Sequence, residues 1–415
     1  MSPTPRAAAL IAAGALAALV VPLGVAAVVL LVVLAVTLVD ALAVRRAPEL
    51  RRTAPGFLSR GVAAPVVLEL ARPVVGSVRI RQPMPPDLAL DPPEADERLV
   101  ATIVASRRGR HVLSSPATRV DGPLGLGRWY HRPGEEAEVV VYPDLVNAFR
   151  LALAIRQGRF RDPGRARRGP LGLGTDFESV RDYVPDDDVR QVNWRATARL
   201  GRPMSNQYRV EQDRDVVCVV DTGRLMAAPL ANMTRLDAAV DAVAAVAAVS
   251  EELGDRCGAI AFDAEVRRDL APRRRGARAV IRAVFDLEPI PVESDYELAF
   301  RRVGDAKRSL VIVLTDLLEE SAARPLVEAV PLLARRHAVV VASAADTDLD
   351  ETLRREPQAA VDVYAASVAL GVLAARSRVA AQLRRAGADV LEAPPESLAA
   401  ACVGAYVRAK ARARL

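Results

Sequence analysis

An uncharged apolar run extends from Ala7 to Val39 and limits the folds that are open to this chain. A helix of about 20 apolar residues crosses a bilayer, so about 33 residues are long for one span and short for two. Pro22 and Gly24 interrupt the run near its middle. We therefore expect residues 1–47 to form a transmembrane helical hairpin of two tight spans, with Pro22 at its tip.

Arginines flank this run on both sides, with Arg6 before it and Arg45, Arg46, Arg51 and Arg52 after it. Positively charged residues stay on the cytoplasmic side of a membrane. The pattern predicts that both ends of the hairpin, and the domains that follow, face the cytoplasm at the inner (plasma) membrane. A cleaved signal peptide ending at Ala41-Leu42-Ala43 is the alternative, although its apolar core would be several times too long.

Residues 48–145 change to short β-like runs separated by turn-rich pieces. This pattern predicts a small immunoglobulin-like β-sandwich that serves as a spacer or an interaction module. Residues 146–212 follow as a linker, with a short helix at Phe149–Gln157 and an Arg/Gly/Pro-rich piece at 158–174. That piece is a solvated flexible connection or a contact for anionic lipid or acidic partners. The predicted runs of the sandwich are Val66–Leu70, Val74–Ile80, Leu99–Ser106 and Glu138–Tyr142.

Residues 213–415 alternate buried apolar strands with helices and end in a mostly helical region. Continuous apolar strands between helices predict an α/β domain whose parallel sheet is covered on both faces. The predicted strands are Val216–Val220, Cys257–Phe262, Leu310–Leu314, Ala338–Ala342 and Ala388–Leu391, and the predicted helices are Leu236–Leu253, Gly276–Phe285 and Pro325–Arg336.

The stretch from Gly174 to Arg199 concentrates aromatic and charged side chains in a chain that is only 4% aromatic. Pro185 and the neighbouring aspartates have turn chemistry, and Asp188 is placed to cap a helix that runs through Arg190, Trp194 and Arg199. Locally, the stretch is therefore predicted to be a turn followed by a short helix.

This stretch resembles the signature of the domain of unknown function 58 (DUF58) family. The resemblance implies a membrane-attached bacterial protein with a von Willebrand factor type A-like doubly wound fold that works with a MoxR-type AAA+ ATPase. Asp176 stands where the family has Glu, and Asp186 stands where it has Gly. The matching positions are Gly174, Phe177, Arg181, Tyr183, Asp187, Asp188, Arg190, Trp194, Ala198 and Arg199.

Three interpretations of the signature remain open. It is a structural ion-pair cluster in which Trp194 packs against the α/β domain, or a docking surface, since Trp, Tyr and Arg are common interface anchors. The third is a hydrolase-like site that uses the Asp186–Asp188 cluster together with Asp221. The predicted interaction motif comprises Phe177, Arg181, Tyr183, Asp187, Asp188, Arg190, Trp194 and Arg199.

Two predicted strands end in aspartates, Asp221 and Asp316, where parallel sheets gather functional groups. This arrangement is similar to the metal site of type A domains, with Ser294 at the place of the threonine ligand. Gly223 and Leu225 replace the two serines of that site. Because Mg²⁺ prefers about six oxygen ligands, we expect a metal-free scaffold rather than a Mg²⁺ site. Without a cation, one aspartate would be protonated or paired with arginine.

Composition excludes several other classes. The net charge is +6, and almost all of the basic residues are arginines. Aromatic residues are too few for a nucleic-acid-binding surface. Cys218, Cys257 and Cys402 lack metal spacing and are expected to be buried free thiols. The predicted function is therefore a non-enzymatic, membrane-anchored scaffold or adaptor for a MoxR-type AAA+ ATPase in envelope protein assembly or maturation.

Overall fold

The chain folds as two units, Met1–Tyr142 and Pro143–Leu415. The computed structural model describes residues 1–161, 176–184, 192–209, 214–230, 233–304, 308–317 and 320–411. Among these, the side chains of 176–179, 207–209 and 321 are not described. The signature residues Gly174, Asp186, Asp187, Asp188 and Arg190 lie outside the described residues.

Two N-terminal helices, α1 (Pro5–Ala17) and α2 (Leu23–Ala43), form a hairpin with its turn at residues 18–22. Thr4 caps α1 by accepting a hydrogen bond from the Ala7 amide, and Pro5 suits the first helical position. At about 1.5 Å per residue, α1 is roughly 20 Å long and α2 roughly 32 Å. The hairpin agrees with the sequence, but only α2 has the length of a complete span across a bilayer core of about 30 Å, and α1 is shorter.

The rest of the first unit consists of short strands in three sheets. Their orders are β1-β11-β10-β5-β7, β2-β4-β8-β6 and β3-β12-β9. All neighbours are antiparallel except β3 and β12. The strands are β1 (Ser2–Pro3), β2 (Leu50–Thr53), β3 (Phe57–Ser59), β4 (Ala64–Leu70), β5 (Ser77–Arg81), β6 (Leu88–Asp91), β7 (Glu94–Asp96), β8 (Arg98–Ala105), β9 (Gly109–Leu113), β10 (Ala117–Asp121), β11 (Gly127–His131) and β12 (Ala137–Tyr142).

These sheets share one apolar core, and β8 shows why the sequence forms it. Leu99, Ala101, Ile103 and Ala105 are buried, whereas Arg98, Val100 and Thr102 between them are exposed. This alternation places one face of the strand inside. The same core includes Leu68, Ile80 and Val120 from other strands.

The end of α2 is held by a loop of the same unit, an arrangement that we call the Asp40 clamp. The Asp40 carboxylate accepts hydrogen bonds from the backbone amides of Leu124 (2.9 Å), Leu126 (2.8 Å) and Gly127 (2.8 Å). A Cβ atom at Gly127 would lie 2.3 Å from the Ala41 backbone nitrogen. Glycine is therefore required for the loop to approach the helix this closely.

The second unit contains a strand pair, a short helix and a larger α/β part. Its elements are α3 (Leu145–Arg156), β13 (Asp176–Asp182), α4 (Trp194–Leu200), β14 (Met204–Arg209), β15 (Asp215–Asp221), β16 (Pro229–Leu230), β17 (Met233–Thr234), α5 (Arg235–Glu252), β18 (Arg256–Phe262), β19 (Val266–Arg273), α6 (Ala277–Val284), α7 (Tyr296–Val303), β20 (Ser309–Leu314), α8 (Glu320–Ala334), β21 (Ala338–Ala344), α9 (Thr347–Arg354), α10 (Ala360–Arg385), β22 (Ala388–Ala393) and α11 (Pro395–Ala411).

Six strands form the main sheet in the order β19-β18-β15-β20-β21-β22. All pairs are parallel except β18 with β19, and every residue of β15 is buried. Val217 and Val219 face a core that includes residues of α7, α8 and α10. The α5, α6 and α11 helices contact the sheet outside this cluster, which fits cover on the opposite face.

Helix α3 packs against α5 and α11, so it belongs to the second unit rather than to a linker. Ala148 and Ala152 are buried on its inner side. The Asp144 amide before it donates a 2.9 Å hydrogen bond to the carboxylate of Asp241 in α5.

Helix α10 is also apolar and long enough to be a membrane span by length and composition. Its C-terminal half nevertheless packs against α8 and β22, with Val379 and Leu383 in the sheet core and Arg376 buried. Its N-terminal half exposes Val361 and Tyr364. We therefore treat α10 as part of the second unit.

Candidate functional site

The candidate site lies at the carboxyl ends of the neighbouring strands β15 and β20. The chain continues from β15 to β18 on one side of the sheet and from β20 to β21 on the other. Such a reversal of strand order leaves a crevice at the strand ends, where α/β proteins bind ligands. Asp221 ends β15, while Thr315 and Asp316 directly follow β20.

The Asp221 carboxylate, which is 1% exposed, is surrounded by hydrogen-bond donors. Its Oδ1 atom accepts from the Gly223 amide (2.8 Å) and the Ser294 hydroxyl (2.5 Å). Its Oδ2 atom accepts from the hydroxyls of Thr315 (2.6 Å) and Tyr296 (2.9 Å). We call these five residues the Asp221 cluster. Four donors satisfy most of the acceptor capacity of one carboxylate.

Local structure explains how Ser294 and Tyr296 reach Asp221. Asp295 caps α7 by accepting a 2.9 Å hydrogen bond from the Leu298 amide, and this cap fixes its two sequence neighbours at the helix start. Burial, reinforced by the adjacent Asp221 carboxylate, raises the pKa of the Tyr296 phenol well above its ordinary value. The phenol therefore remains a protonated donor.

Asp316 faces a different set of groups. Its Oδ1 atom accepts hydrogen bonds from Arg235 Nη1 (2.8 Å) and Arg376 Nη1 (3.4 Å). These two arginines also donate to the Ala344 carbonyl, at 2.9 Å and 3.1 Å. Arg376 Nε donates to Glu392 at 3.1 Å. We call these residues the Asp316 network.

Both arginines are buried, with Arg235 4% and Arg376 2% exposed. Arg235 is the first residue of α5, where a capping box of Thr234 and Asp237 fixes the helix start. Burial raises the pKa of the Asp316 carboxyl, and the two guanidinium groups oppose that shift. Burial also lowers the pKa of Arg235.

The proposed metal ligands are therefore divided between two groups. Asp221 and Ser294 contact each other directly, whereas Asp316 is directed to two arginines. This geometry matches the expectation that one aspartate pairs with arginine. In the described part of the chain, no group of three His, Cys, Asp or Glu residues is arranged to hold a metal ion.

A cavity of about 310 Å³ opens beside the Asp221 cluster. It is lined by Leu225, Ser294, Tyr296 and Pro325, among others. Arg224 and Glu293 form an ion pair at its edge, with Nε and Oε1 2.5 Å apart. The cavity thus combines apolar walls with a charged rim.

Part of the signature is described, and there Trp194 is the most informative residue. Trp194 begins α4 and is 70% exposed. The cap of α4 is Asn193, whose side chain accepts a 2.9 Å hydrogen bond from the Ala196 amide. The sequence predicts that Asp188 caps the helix through Trp194, but Asn193 occupies the cap of α4, and Asp188 itself lies outside the described residues.

The other described signature residues lie around the β13–β14 pair. Arg181 in β13 donates a 3.0 Å hydrogen bond to the Asp182 carbonyl, and the Tyr183 amide donates to the Pro203 carbonyl at 3.0 Å. Arg199 lies exposed in the last turn of α4. Phe177 belongs to β13, but its side chain is outside the described set.

Several residues of the site were not predicted. Arg235, Arg376 and Tyr296 have no motif of their own, and only their burial makes them important. The available signal was an arginine directly after a capping threonine at the start of an apolar helix, and another inside the apolar α10. Neither signal identifies the carboxylate that the arginine meets.

Comparison with known proteins relates the second unit to an uncharacterized family. Residues 179–383 match the model of the family described as "Protein of unknown function DUF58". This match supports the resemblance of the chain to the DUF58 family. The DUF58 segment covers slightly less than half of the chain and contains the Asp221 cluster, Trp194, Arg235, Asp316 and Arg376.

The chain is also similar to uncharacterized proteins. Mb1516 of Mycobacterium bovis and Rv1480 of Mycobacterium tuberculosis are each 29% identical to it over 155 residues. That stretch is 35% of this chain, and the chain spans about half (48%) of the length of these relatives. A solved structure of the sulfur carrier protein SoxY from Chlorobium limicola matches with 18% identity and a TM-score of 0.13, covering 26% of this chain and 97% of that one. A score this low does not indicate a shared fold.

Proposed function

We propose that this protein is a membrane-anchored scaffold or adaptor that docks a MoxR-type AAA+ ATPase through its DUF58 signature. The observation that carries the proposal is the 70% exposure of Trp194. A large aromatic side chain left in water gains most by being covered by a partner. Val184 and Leu200 are also exposed in this region. The exposure of Trp194 argues against the alternative in which it packs into the α/β domain.

We further propose that the second unit has a von Willebrand factor type A-like fold. Its support is a parallel central sheet with an antiparallel edge strand and aspartates at the carboxyl ends of β15 and β20. In this proposal, the cavity beside the Asp221 cluster is a second contact for protein partners. A binding role is favoured over a hydrolase-like one because the Asp221 carboxylate is engaged by four donors.

The proposal also places both units on the cytoplasmic side, where a cytoplasmic ATPase is accessible. The apolar α2 supports membrane attachment, and the arginines around the hairpin support the orientation. We propose that it contributes there to the assembly or maturation of envelope proteins, as the resemblance to the DUF58 family implies.

The test substitutes Trp194 with Ala in the full chain. We expect loss of co-purification with a co-expressed MoxR-type AAA+ ATPase, with a melting temperature nearly equal to that of the wild type. The reason is that an exposed anchor contributes to binding and little to folding. Tyr364→Ala is the matched control, because Tyr364 is an aromatic of similar exposure (73%) outside the signature.

The proposal predicts that the Tyr364 variant keeps the ATPase. Retention of the ATPase by the Trp194 variant would contradict docking through the signature. A drop in melting temperature equivalent to about 3 kcal/mol would instead restore the packing interpretation.

A further inference from the structure

We propose that the guanidinium groups of Arg235 and Arg376 take the place of a divalent cation beside Asp316, so that this end of the sheet is held together without metal. The similarity to type A domains implies a Mg²⁺ site formed by Asp221, Ser294 and Asp316. The residues present do not fit that ion, for three independent reasons.

The first reason is the Asp221 cluster. Mg²⁺ requires about six oxygens in near-octahedral geometry and gives up its water reluctantly. To bind it, Asp221 would have to release donors such as Ser294 (2.5 Å) and Thr315 (2.6 Å). Both hydroxyls now donate to the carboxylate, so their hydrogens lie between it and any incoming cation.

The second reason is the space around Gly223, the position of the first missing serine. A Cβ atom there would lie 2.1 Å from Ser294 Oγ and 2.9 Å from the Val292 carbonyl oxygen. A serine at 223 therefore cannot coexist with the contact between Ser294 and Asp221. The loss of that oxygen ligand is built into the packing of the cluster.

The third reason is charge. Arg235 Nη1 lies 2.8 Å from Asp316 Oδ1, and Arg376 Nη1 lies 3.4 Å from the same atom. The second oxygen, Oδ2, is buried and accepts no hydrogen bond from the described residues. It is an acceptor that a cation could use, but two guanidinium charges beside it oppose the entry of another positive ion.

The arginines also perform the structural work of a bound ion. Together they connect Asp316 after β20, the Ala344 carbonyl at the end of β21 and Glu392 in β22. Arg235 comes from α5 and Arg376 from α10, so helices attach to the same point. Unlike a metal ion, these groups cannot dissociate, and the arrangement is independent of the cellular Mg²⁺ concentration.

The main test measures Mn²⁺ binding by electron paramagnetic resonance on the full chain in detergent, comparing the wild type with Asp316→Asn. We expect the two proteins to bind the same amount of Mn²⁺, because Asp316 does not contribute a ligand. We also expect Mn²⁺ or Mg²⁺ at millimolar concentration to leave the melting temperature unchanged. A micromolar site would raise it by about 5 °C or more. One Mn²⁺ per chain that Asp316→Asn removes would overturn the proposal.

A second arm tests the arginines as counter-charges. Arg376→Met should lower the melting temperature by several degrees, and adding Asp316→Asn should recover part of the loss, since an uncompensated buried carboxylate is then neutral. Arg378→Met is the matched control, because Arg378 is exposed on the same helix and contacts Glu320 at 3.4 Å. Equal effects of the two arginine variants, or strictly additive effects of Arg376→Met and Asp316→Asn, would contradict the proposal. If Arg376→Met does not fold, the Mn²⁺ comparison decides alone.

Discussion

Gly223 shows how much of the site depends on one missing side chain. The Ser294 hydroxyl occupies the space that a Cβ atom at 223 would need, and the Val292 carbonyl limits the backbone on the other side. Glycine is required here by crowding and not by backbone conformation, because the φ angle of Gly223 is −73°. The contact between Ser294 and Asp221 thus depends on Gly223, the glycine that replaces the first serine of the type A metal site.

We predict that Gly223→Ala destabilises the protein by about 1–3 kcal/mol, the usual range for overpacking in a closed site. Chemical denaturation in detergent measures the change. Gly371→Ala in α10 is the control, because a Cβ there meets nothing within 4 Å. That control should be neutral or stabilising, since alanine favours helix over glycine. A Gly223 variant as stable as the control would show that Ser294 moves aside without cost.

At the scale of elements, helix α3 tests where the second unit begins. Its Ala148 is 1% exposed against the rest of the unit, whereas the neighbouring Phe149 is 57% exposed. We predict that Ala148→Leu lowers the free energy of unfolding by about 1–3 kcal/mol because it overfills the contact with α5.

Phe149→Ala serves as its control and should change stability by less than about 0.5 kcal/mol, as exposed substitutions do. Thermal or chemical unfolding of the full chain measures both. If Ala148→Leu is as mild as the control, α3 is not part of the folded unit.

Buried central strands could be predicted from the sequence, whereas an edge strand could not. Strands β15 and β20 were predicted to within one residue at either end because they are buried on both faces and form unbroken apolar runs. Strand β19 was missed because it lies at the sheet edge and the charged run Arg267, Arg268 and Asp269 interrupts its apolar residues. An edge strand has little hydrophobic signal.

The site was predictable only where it follows directly from strand ends. Asp221 and Asp316 could be located because parallel strands direct their carboxyl ends to one edge. The partners of Asp316 come from α5 and α10, which are far apart in the chain. Their meeting depends on how helices cross the sheet, and no local pattern contains that information.

At the scale of the whole molecule, the arginines around the N-terminal hairpin predict its orientation. We expect a reporter that is active only in the cytoplasm to be active when it is fused at the C-terminus. A periplasmic reporter at the same position should be inactive. If only the periplasmic reporter were active, the orientation would be the reverse of the predicted one, and a cytoplasmic ATPase could not reach the protein.

The Asp40 clamp has a mechanical consequence for the membrane anchor that we propose. A domain tethered by a flexible peptide can rotate freely beneath the bilayer, but here three backbone amides hold the end of α2, and His131 donates a further 3.0 Å hydrogen bond to the Val44 carbonyl just beyond it. Helix α2 and the sheets of the first unit therefore tilt together. If α2 lies in a bilayer, as we propose, each inclination of α2 becomes an equal inclination of these sheets, so the membrane sets their angle to its surface.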